Sequence, residues 1–593
     1  MSSESLPGLR QSVTHPADRG KNPSHGEASP LCSFGYHPAV SEHSEVLVKL
    51  VLTAAALGVI IWRWRGQADR EKSGAALGLI ALLAAGASCN FFQFHGGRFT
   101  HFGENFHYQL GAKYFPELGY DGLYEASVAA QAESAPNLPL PRVIRDLRTN
   151  TMEPVRAVDE HREAVLRRFT PDRWRSFVAD HDTFLAPEFS RTLNEIRLDH
   201  GYNPTPTWTF VGRLFNSWLP LNDTTVPLLA LLDWVILAVM FVMVFRTYGS
   251  AVGATALILF GAGYPWRYAW VGGAFLRYDW LAAVVVGVCL LNRRRFATAG
   301  ALLAYAASLR LFPGLLLVGV AAVAARDLLR RSGFSWALRF TAGFVVSAAA
   351  CVLAGALAGR GFAAWPEFAH NIEKHHGTWS TNTAGLELVF LTTPQTMVSR
   401  IPLAWPLPQR WATWQEEMNR AQKERRPFYL AVAFLLVAGT AIAAAARTPD
   451  EGAAIGVAAV FAGLVLSCYY WVVLIVLALR RGNGGAVGVL GVNAAALVAA
   501  LFTDDTQAIF GVFSWGLLAL FAALIAPDVA RTVRLGFPAP PLDNGGGATP
   551  GGRGQRGGQG GGKSERRTRR SARAAGSASP RLDTLLPGTA FHG

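Results

Sequence analysis

A chain of 593 residues with 16% charged and 51% hydrophobic side chains and a mean hydropathy of +0.23 carries fewer charges than the about 25% usual for soluble domains. That excludes an ordinary soluble protein and makes lipid the solvent for most of the chain. The net charge of +14 would suggest nucleic acid, but Arg553 to Arg573 holds eight Lys or Arg against one Glu, so +7 of it sits in the C-terminal tail. Nucleic acid is therefore not expected as a partner.

Residues 1–45 read as a disordered polar leader. Met1 to His43 lacks an apolar run, so no signal peptide is evident, and the run that begins near Val46 is retained as an anchor. Residues 46–95 are expected to form the first two transmembrane helices. Residues 96–223 are too long and too polar for a connector, and with helical-looking stretches such as Pro141 to Phe169 they are expected to form an extracytoplasmic juxtamembrane cap. Residues 224–358 are expected to hold transmembrane helices, 359–426 a second extracytoplasmic segment, 427–527 the C-terminal transmembrane helices and 528–593 a disordered, basic cytoplasmic tail. Runs such as Val226 to Phe245, Ala337 to Ala358 and Pro427 to Ala446 are long enough to cross about 30 Å of hydrocarbon. They must do so as helices, because barrel strands would be short and alternating. The expected fold is an all-α polytopic membrane bundle of about 12–13 transmembrane helices, at about 20 apolar residues each, with a large extracytoplasmic first loop.

Orientation follows Lys and Arg bias, which puts Arg63 to Lys72, Asn292 to Arg295, Arg326 to Arg331, Arg480 to Arg481 and the tail in the cytoplasm. Lys423 to Arg426 then fall outside, against that rule, and call for one more crossing between Ala384 and Trp405. The apolar stretch 297–325 has basic clusters on both flanks and Arg310 and Pro313 in its middle, which predicts a hairpin of two short helices. Gly452 to Leu479 reads the same way, with Ser467 to Trp471 at its tip. The cysteines Cys32, Cys89, Cys289, Cys351 and Cys468 have no paired spacing and predict neither a disulfide framework nor a zinc site.

After the second apolar run comes Thr100-His-Phe-Gly-Glu-Asn-Phe-His-Tyr108, and Glu104 is the first candidate for a general base. A carboxylate at the mouth of a membrane cavity gains basicity from partial desolvation and can take a proton from an acceptor hydroxyl. The alternative is a solvated loop carboxylate. Arg310 is an intramembrane charge and a functional candidate by default, with a guanidinium suited to phosphate oxygens; the alternative is snorkelling to the interface. Arg277 and Asp279 stand at the end of the next helix, where they either serve the site or pair with one another. His370, His375, His376 and Trp379 could meet a phosphate or a sugar, and their spacing does not stack imidazoles on one helical face, so no metal is expected. A solvated interfacial helix is the competing reading. There is no Walker loop and no dinucleotide fingerprint, so neither a nucleotide nor any other cofactor is expected.

These stretches resemble glycosyltransferases of the GT-C class, in particular the mannosyltransferase-like members of glycosyltransferase family 87. Glu104-x-x-x-Tyr108 is similar to the family's Asp-x-x-x-Tyr, followed by Gly119-Tyr-Asp-Gly-Leu-Tyr124. Tyr202-Asn-Pro-Thr-Pro206, Ser308-Leu-Arg-Leu-Phe-Pro313, Thr381-Asn-Thr-Ala-Gly-Leu386 and Ser467-Cys-Tyr-Tyr470 follow in the family's order across most of Phe94 to Tyr470. Glu104 stands where the family more often has Asp, which keeps Asp121 and Asp279 open as alternative bases. The resemblance implies a polyprenyl-phosphate sugar donor, a glycan or glycolipid acceptor, and mannose as a candidate sugar. Ala-, Gly- and Arg-rich usage points to a GC-rich bacterial genome, so the expected location is a bacterial cytoplasmic membrane with the site facing outward. It places Glu104 as the catalytic residue and His107, Tyr108, Asn203, Arg277, Asp279, Arg310, His370, His375, His376 and Trp379 at the substrates. Two other classes compete: a transporter or flippase for a lipid-linked glycan, and a structural membrane protein whose basic tail meets anionic lipid.

Overall fold

The computed structural model describes residues 42–67, 69–185, 190–331 and 333–536. Most of the expected leader, the basic Arg553 to Arg573 run and Cys32 lie outside the described residues. Within them the protein is an all-α, polytopic membrane protein. Seven helices are long and apolar enough to cross a membrane: Glu42–Trp64, Thr225–Tyr248, Phe312–Leu329, Ser335–Ala356, Leu407–Ala445, Gly484–Phe502 and Thr506–Leu535. Between them run shorter apolar helices, Ser250–Ala262, Asp279–Asn292, Phe296–Leu309 and Cys468–Leu479. The expected dozen uniform spans are thus a mixture of full-length and short helices.

The long helices turn apolar side chains outward. On Thr225–Tyr248 the exposed residues Leu228, Leu231, Val235, Val239 and Val242 recur every three or four positions and form one stripe. Such a stripe is costly in water and costs nothing against lipid tails. The inner contacts use small residues instead. A Cβ on Gly343 would lie 1.9 Å from the Ala297 carbonyl oxygen, and one on Gly319 1.8 Å from that of Gly452. Close backbone approach of this kind packs helices where no hydrophobic force holds them together.

Both stretches turn back on themselves, though the second arm of the first, Phe312–Leu329, is long and apolar enough to cross a membrane and is not the short helix expected. Phe296–Leu309 is followed by a tight turn at Arg310, a 3-10 stretch Phe312–Leu316 and the helix Leu317–Leu329. Pro449–Ile455 and Val457–Gly463 climb to a tip at Leu466–Ser467, and Cys468–Leu479 returns. At the far end of these helices the turns are tied by hydrogen bonds, Arg293 to Thr247, Asn292 to Asp450 and Arg481 to Glu451.

Four sequence expectations need correction. The first helix begins at Glu42, inside the expected leader, because Glu42 and Glu45 suit a helix N-terminus and pair with Arg267 and Lys49. Part of Pro141 to Phe169 is not helical: Val143–Asp146 pairs antiparallel with Thr151–Pro154, turned by Asn150 at φ 61°, a conformation Asn tolerates well. No helix between Ala384 and Trp405 is long enough to cross. That stretch holds only Leu386–Leu391 and the turn Val398–Arg400, interrupted by Pro394 and Pro402. The charged Lys423 to Arg426 belong instead to the 39-residue helix Leu407–Ala445. At 1.5 Å per residue it is about 58 Å long, so its polar half stands clear of the hydrocarbon. The helix Thr506–Leu535 likewise runs past the expected end at residue 527.

Candidate functional site

A cavity of about 480 Å³ opens among the loops at one end of the bundle. Its wall draws on stretches far apart in sequence: Glu104, His107 and Tyr108; Asn203 and Thr205; Leu309 to Phe312; Thr381 to Thr383; and Ser467, Tyr469 and Tyr470. Two of these are joined directly, since Thr383 and Ala384 pair antiparallel with Ser467 and Leu466. Thr205 Oγ1 donates to the Ser308 carbonyl at 2.6 Å, which ties the Tyr202–Pro206 stretch to the hairpin that carries Arg310.

Glu104 lies on the short helix Phe102–Asn105, and His107 and Tyr108 on the wide π-turn Phe106–Leu110 that follows. Insertions of this type recur at functional sites. His101 caps the short helix: its Nδ1 accepts from the Glu104 backbone N–H at 3.1 Å, so its proton sits on Nε2 and points to the Ala269 carbonyl, 3.2 Å away. Burial keeps that imidazole neutral, its pKa pushed down to about 4. His107 donates from Nε2 to the Tyr124 hydroxyl at 2.8 Å, because that hydroxyl already gives its own proton to the Ile196 carbonyl. Tyr124, from the Gly119–Tyr124 stretch, is therefore a support behind the wall.

Glu104 forms an ion pair with Arg277, Oε2 to Nε at 2.8 Å, and its side chain is 15% exposed. Burial pushes its carboxyl above the ordinary value, and the Arg277 and His107 charges pull it back down without cancelling the rise. The Arg277 guanidinium lies 4.2 Å from the centroid of the Tyr108 ring and 5.1 Å from that of Tyr469. Its backbone is fixed from below: the Asp233 carboxylate accepts from the Arg277 N–H at 2.9 and 3.0 Å and from Tyr278 N–H at 3.2 Å. Tyr108 in turn donates to Asn203 Oδ1 at 3.3 Å.

Arg310 occupies the hairpin turn, 8% exposed. Its Nη1 donates to the Leu309 carbonyl and the guanidinium has the Tyr470 hydroxyl within reach, while Nε and Nη2 make no hydrogen bond of ordinary geometry. The rings of Tyr108, Trp208 and Tyr470 surround it at 5.8, 5.9 and 5.9 Å.

The structure thus brings together Glu104, His107, Tyr108, Asn203 and Arg310 with His375, His376 and Trp379 on one wall. Arg277 stands just behind it, held by Glu104 and not by Asp279. The Asp279 carboxylate, in the first turn of its helix, accepts from the adjacent Trp280 N–H and is not part of the wall. Asp121, the other alternative base, pairs with Arg168 at 3.1 Å away from the cavity. His370 is exposed and does not line the cavity. Sequence reasoning missed His101, Asp199, His200, Arg145, Glu387 and Trp411, all on the wall, and Asp233 behind it. Asp233 gave a signal, a carboxylate inside an apolar run. The four cysteines among the described residues are buried and form no disulfide, and no group of His, Cys, Asp or Glu there could hold a metal ion.

The fold and the cavity define a multi-pass membrane protein with buried charged and aromatic side chains gathered at one end of its helices. Comparison with family models, curated proteins and solved structures gives no match for this chain.

Proposed function

We propose that the protein is a membrane glycosyltransferase that moves a sugar, mannose by resemblance, from a polyprenyl-phosphate donor to a glycan or glycolipid acceptor. The observation that carries this reading is the convergence on one cavity of a paired, half-buried carboxylate, Glu104, and a buried guanidinium with unfilled donors, Arg310. Five of the six stretches that resemble the GT-C family contribute residues to that wall, and the sixth, Gly119–Tyr124, supports it from behind.

In the reaction the acceptor hydroxyl gives its proton to Glu104 while its oxygen bonds to the anomeric carbon. The bond from that carbon to the phosphate oxygen breaks, and the electron pair leaves with the phosphate. Arg310 meets the charge that develops there, where fixed donors in a water-poor site act most strongly. Arg277 holds the carboxylate in place and favours its ionised form. Lipid tails flank the apolar helices, so a membrane-borne donor reaches the cavity without leaving the bilayer.

Basic turns at the opposite end, Arg293 to Arg295, Arg330 to Arg331 and Arg480 to Arg481, support a cytoplasmic placement of that end and of the tail. The cavity then faces outward from a bacterial cytoplasmic membrane. Reporter fusions after Gly96, Arg295 and Gly361 test this, with outside signals expected at Gly96 and Gly361 only. A cytoplasmic Glu104 contradicts the mechanism.

The decisive variant is Glu104→Gln, assayed in membranes for transfer from polyprenyl-phosphate sugar. Loss of a general base lowers the rate by about 10²–10⁴-fold. A variant that is expressed, inserted and fully active removes Glu104 from the mechanism.

A further inference from the structure

A second cluster on the cavity wall takes no part in that reaction. His200, just before the Tyr202–Pro206 stretch, and His375, at the end of the helix Ala364–His376, meet edge to face with ring centroids 5.4 Å apart. Asn150 Nδ2, in the turn of the β-ribbon, donates to His375 Nδ1 at 3.1 Å. That leaves the proton of a neutral His375 on Nε2. His200 Nε2 meets the Ser380 hydroxyl at 3.3 Å. The remaining nitrogens, His375 Nε2 and His200 Nδ1, are buried and have no hydrogen-bond partner.

Burial holds both rings neutral, His375 down to about 4 and His200 well below the usual value. Each ring has one nitrogen left for a ligand: His375 Nε2–H donates, and His200 Nδ1 accepts when Nε2 carries the proton and donates to Ser380. One donor beside one acceptor suits a hydroxyl group, which does both, and not a phosphate, which at neutral pH mainly accepts.

Trp379 lines the same wall. Its backbone N–H donates to Gln415 Oε1 and its indole N–H to Asn419 Oδ1, each at 2.8 Å, and its carbonyl accepts from Gln415 Nε2 at 3.0 Å. The polar half of the helix Leu407–Ala445 has engaged every polar group of the residue. What Trp379 can still offer a ligand is its ring.

We infer that His200, His375 and Trp379 form a subsite for a neutral sugar ring belonging to the acceptor, in which the imidazoles read hydroxyl groups and the indole stacks on the ring. Gln415 and Asn419 are positioning residues that fix the indole plane. This rests on the transferase reading and deepens it, since it makes the acceptor a saccharide and not a lipid alcohol or a peptide hydroxyl.

The test uses the full chain in lipid nanodiscs, with methyl α-mannopyranoside and inorganic phosphate as separate probes. Each lost hydrogen bond of about 1–1.5 kcal/mol is worth roughly a factor of ten. The double variant His200→Phe with His375→Phe is therefore expected to weaken the glycoside by about tenfold or more and to leave phosphate binding unchanged. Asn419→Leu should weaken the glycoside severalfold, and Asn419→Asp, which still accepts from the indole, should restore it. Three results overturn the subsite: no glycoside binding by the wild type, equal binding by the double variant, or parallel loss of phosphate. Saturation with polyprenyl-phosphate mannose settles the source of the ring. Glycoside binding that persists supports the acceptor, and competition overturns that assignment by giving the ring to the donor. Loss of the subsite with Glu104→Gln still inactive leaves the transferase reading standing, whereas an intact subsite with Glu104→Gln fully active overturns that reading alone.

Discussion

The hairpin that begins at Phe296 carries a buried arginine at each end of its second arm, and the two are treated in opposite ways. At the base, Arg326 is saturated: Nε and Nη2 meet Asp327 at 2.8 and 2.7 Å, and Nη1 donates to the carbonyls of Ala445 and Arg447, each at 2.9 Å. At the tip, Arg310 has one backbone carbonyl, three aromatic rings and two nitrogens without a hydrogen bond of ordinary geometry. Their exposures are nearly equal, 7% and 8%, so burial alone does not separate them. The difference lies in completion. A buried charge is costly unless it is paired, so Arg326 reads as a fastener, while Arg310 fits a site that a ligand completes.

Changes at the two ends should accordingly have different consequences. Arg310→Gln is expected to lower transfer by about 10²–10³-fold, as for a lost oxyanion donor, with the protein still inserted and folded. A rate within a few-fold of wild type erases the contrast between tip and base. Arg277→Gln acts through Glu104. Removing the cation that holds the Glu104 carboxyl down lets burial raise its pKa further. Because the base works only when deprotonated, the acid limb of the pH–rate profile should move to higher pH. An unmoved limb says that Arg277 does not tune Glu104.

At the base, Arg326→Gln should cost about 1–3 kcal/mol by leaving the Asp327 carboxylate with Trp336 Nε1 as its remaining donor, seen as a lower thermal midpoint in detergent. Transfer per folded molecule should not change, and a rate loss at unchanged stability would make the base part of the site. Asp121→Asn is the smallest change. Its carboxylate pairs with Arg168 away from the cavity, and transfer should stay within about twofold, as expected of a surface pair worth under 1 kcal/mol.

Much of this contrast was legible in the sequence. Basic clusters on both flanks of an apolar stretch interrupted by Arg310 and Pro313 fitted a hairpin better than a single span, with the arginine near its turn. Glu104 could be singled out because it stands in a short polar stretch beside an apolar run, whereas Tyr108, Asn203 and Tyr470 were marked by the resemblance of their stretches to the GT-C family. The pairing of Glu104 with Arg277 was not legible, since residues far apart in the chain meet only through the fold, and local spacing favoured Asp279 as the partner. His200 lay in a polar loop with no periodicity to mark it. The helix Leu407–Ala445 was split in the reading at Pro427, where composition turns from charged to apolar. A proline inside a helix is tolerated where neighbouring elements satisfy the freed backbone, so that shift marked the membrane surface and not a boundary between elements.

The measurement that bears most directly on the central claim is product analysis in proteoliposomes that contain the purified full chain, radiolabelled polyprenyl-phosphate mannose and a neutral oligosaccharide. The account predicts label in a new glycosidic bond on the oligosaccharide, formed by the wild type and not by Glu104→Gln. Label that crosses the bilayer on intact donor, with no new bond, would contradict it.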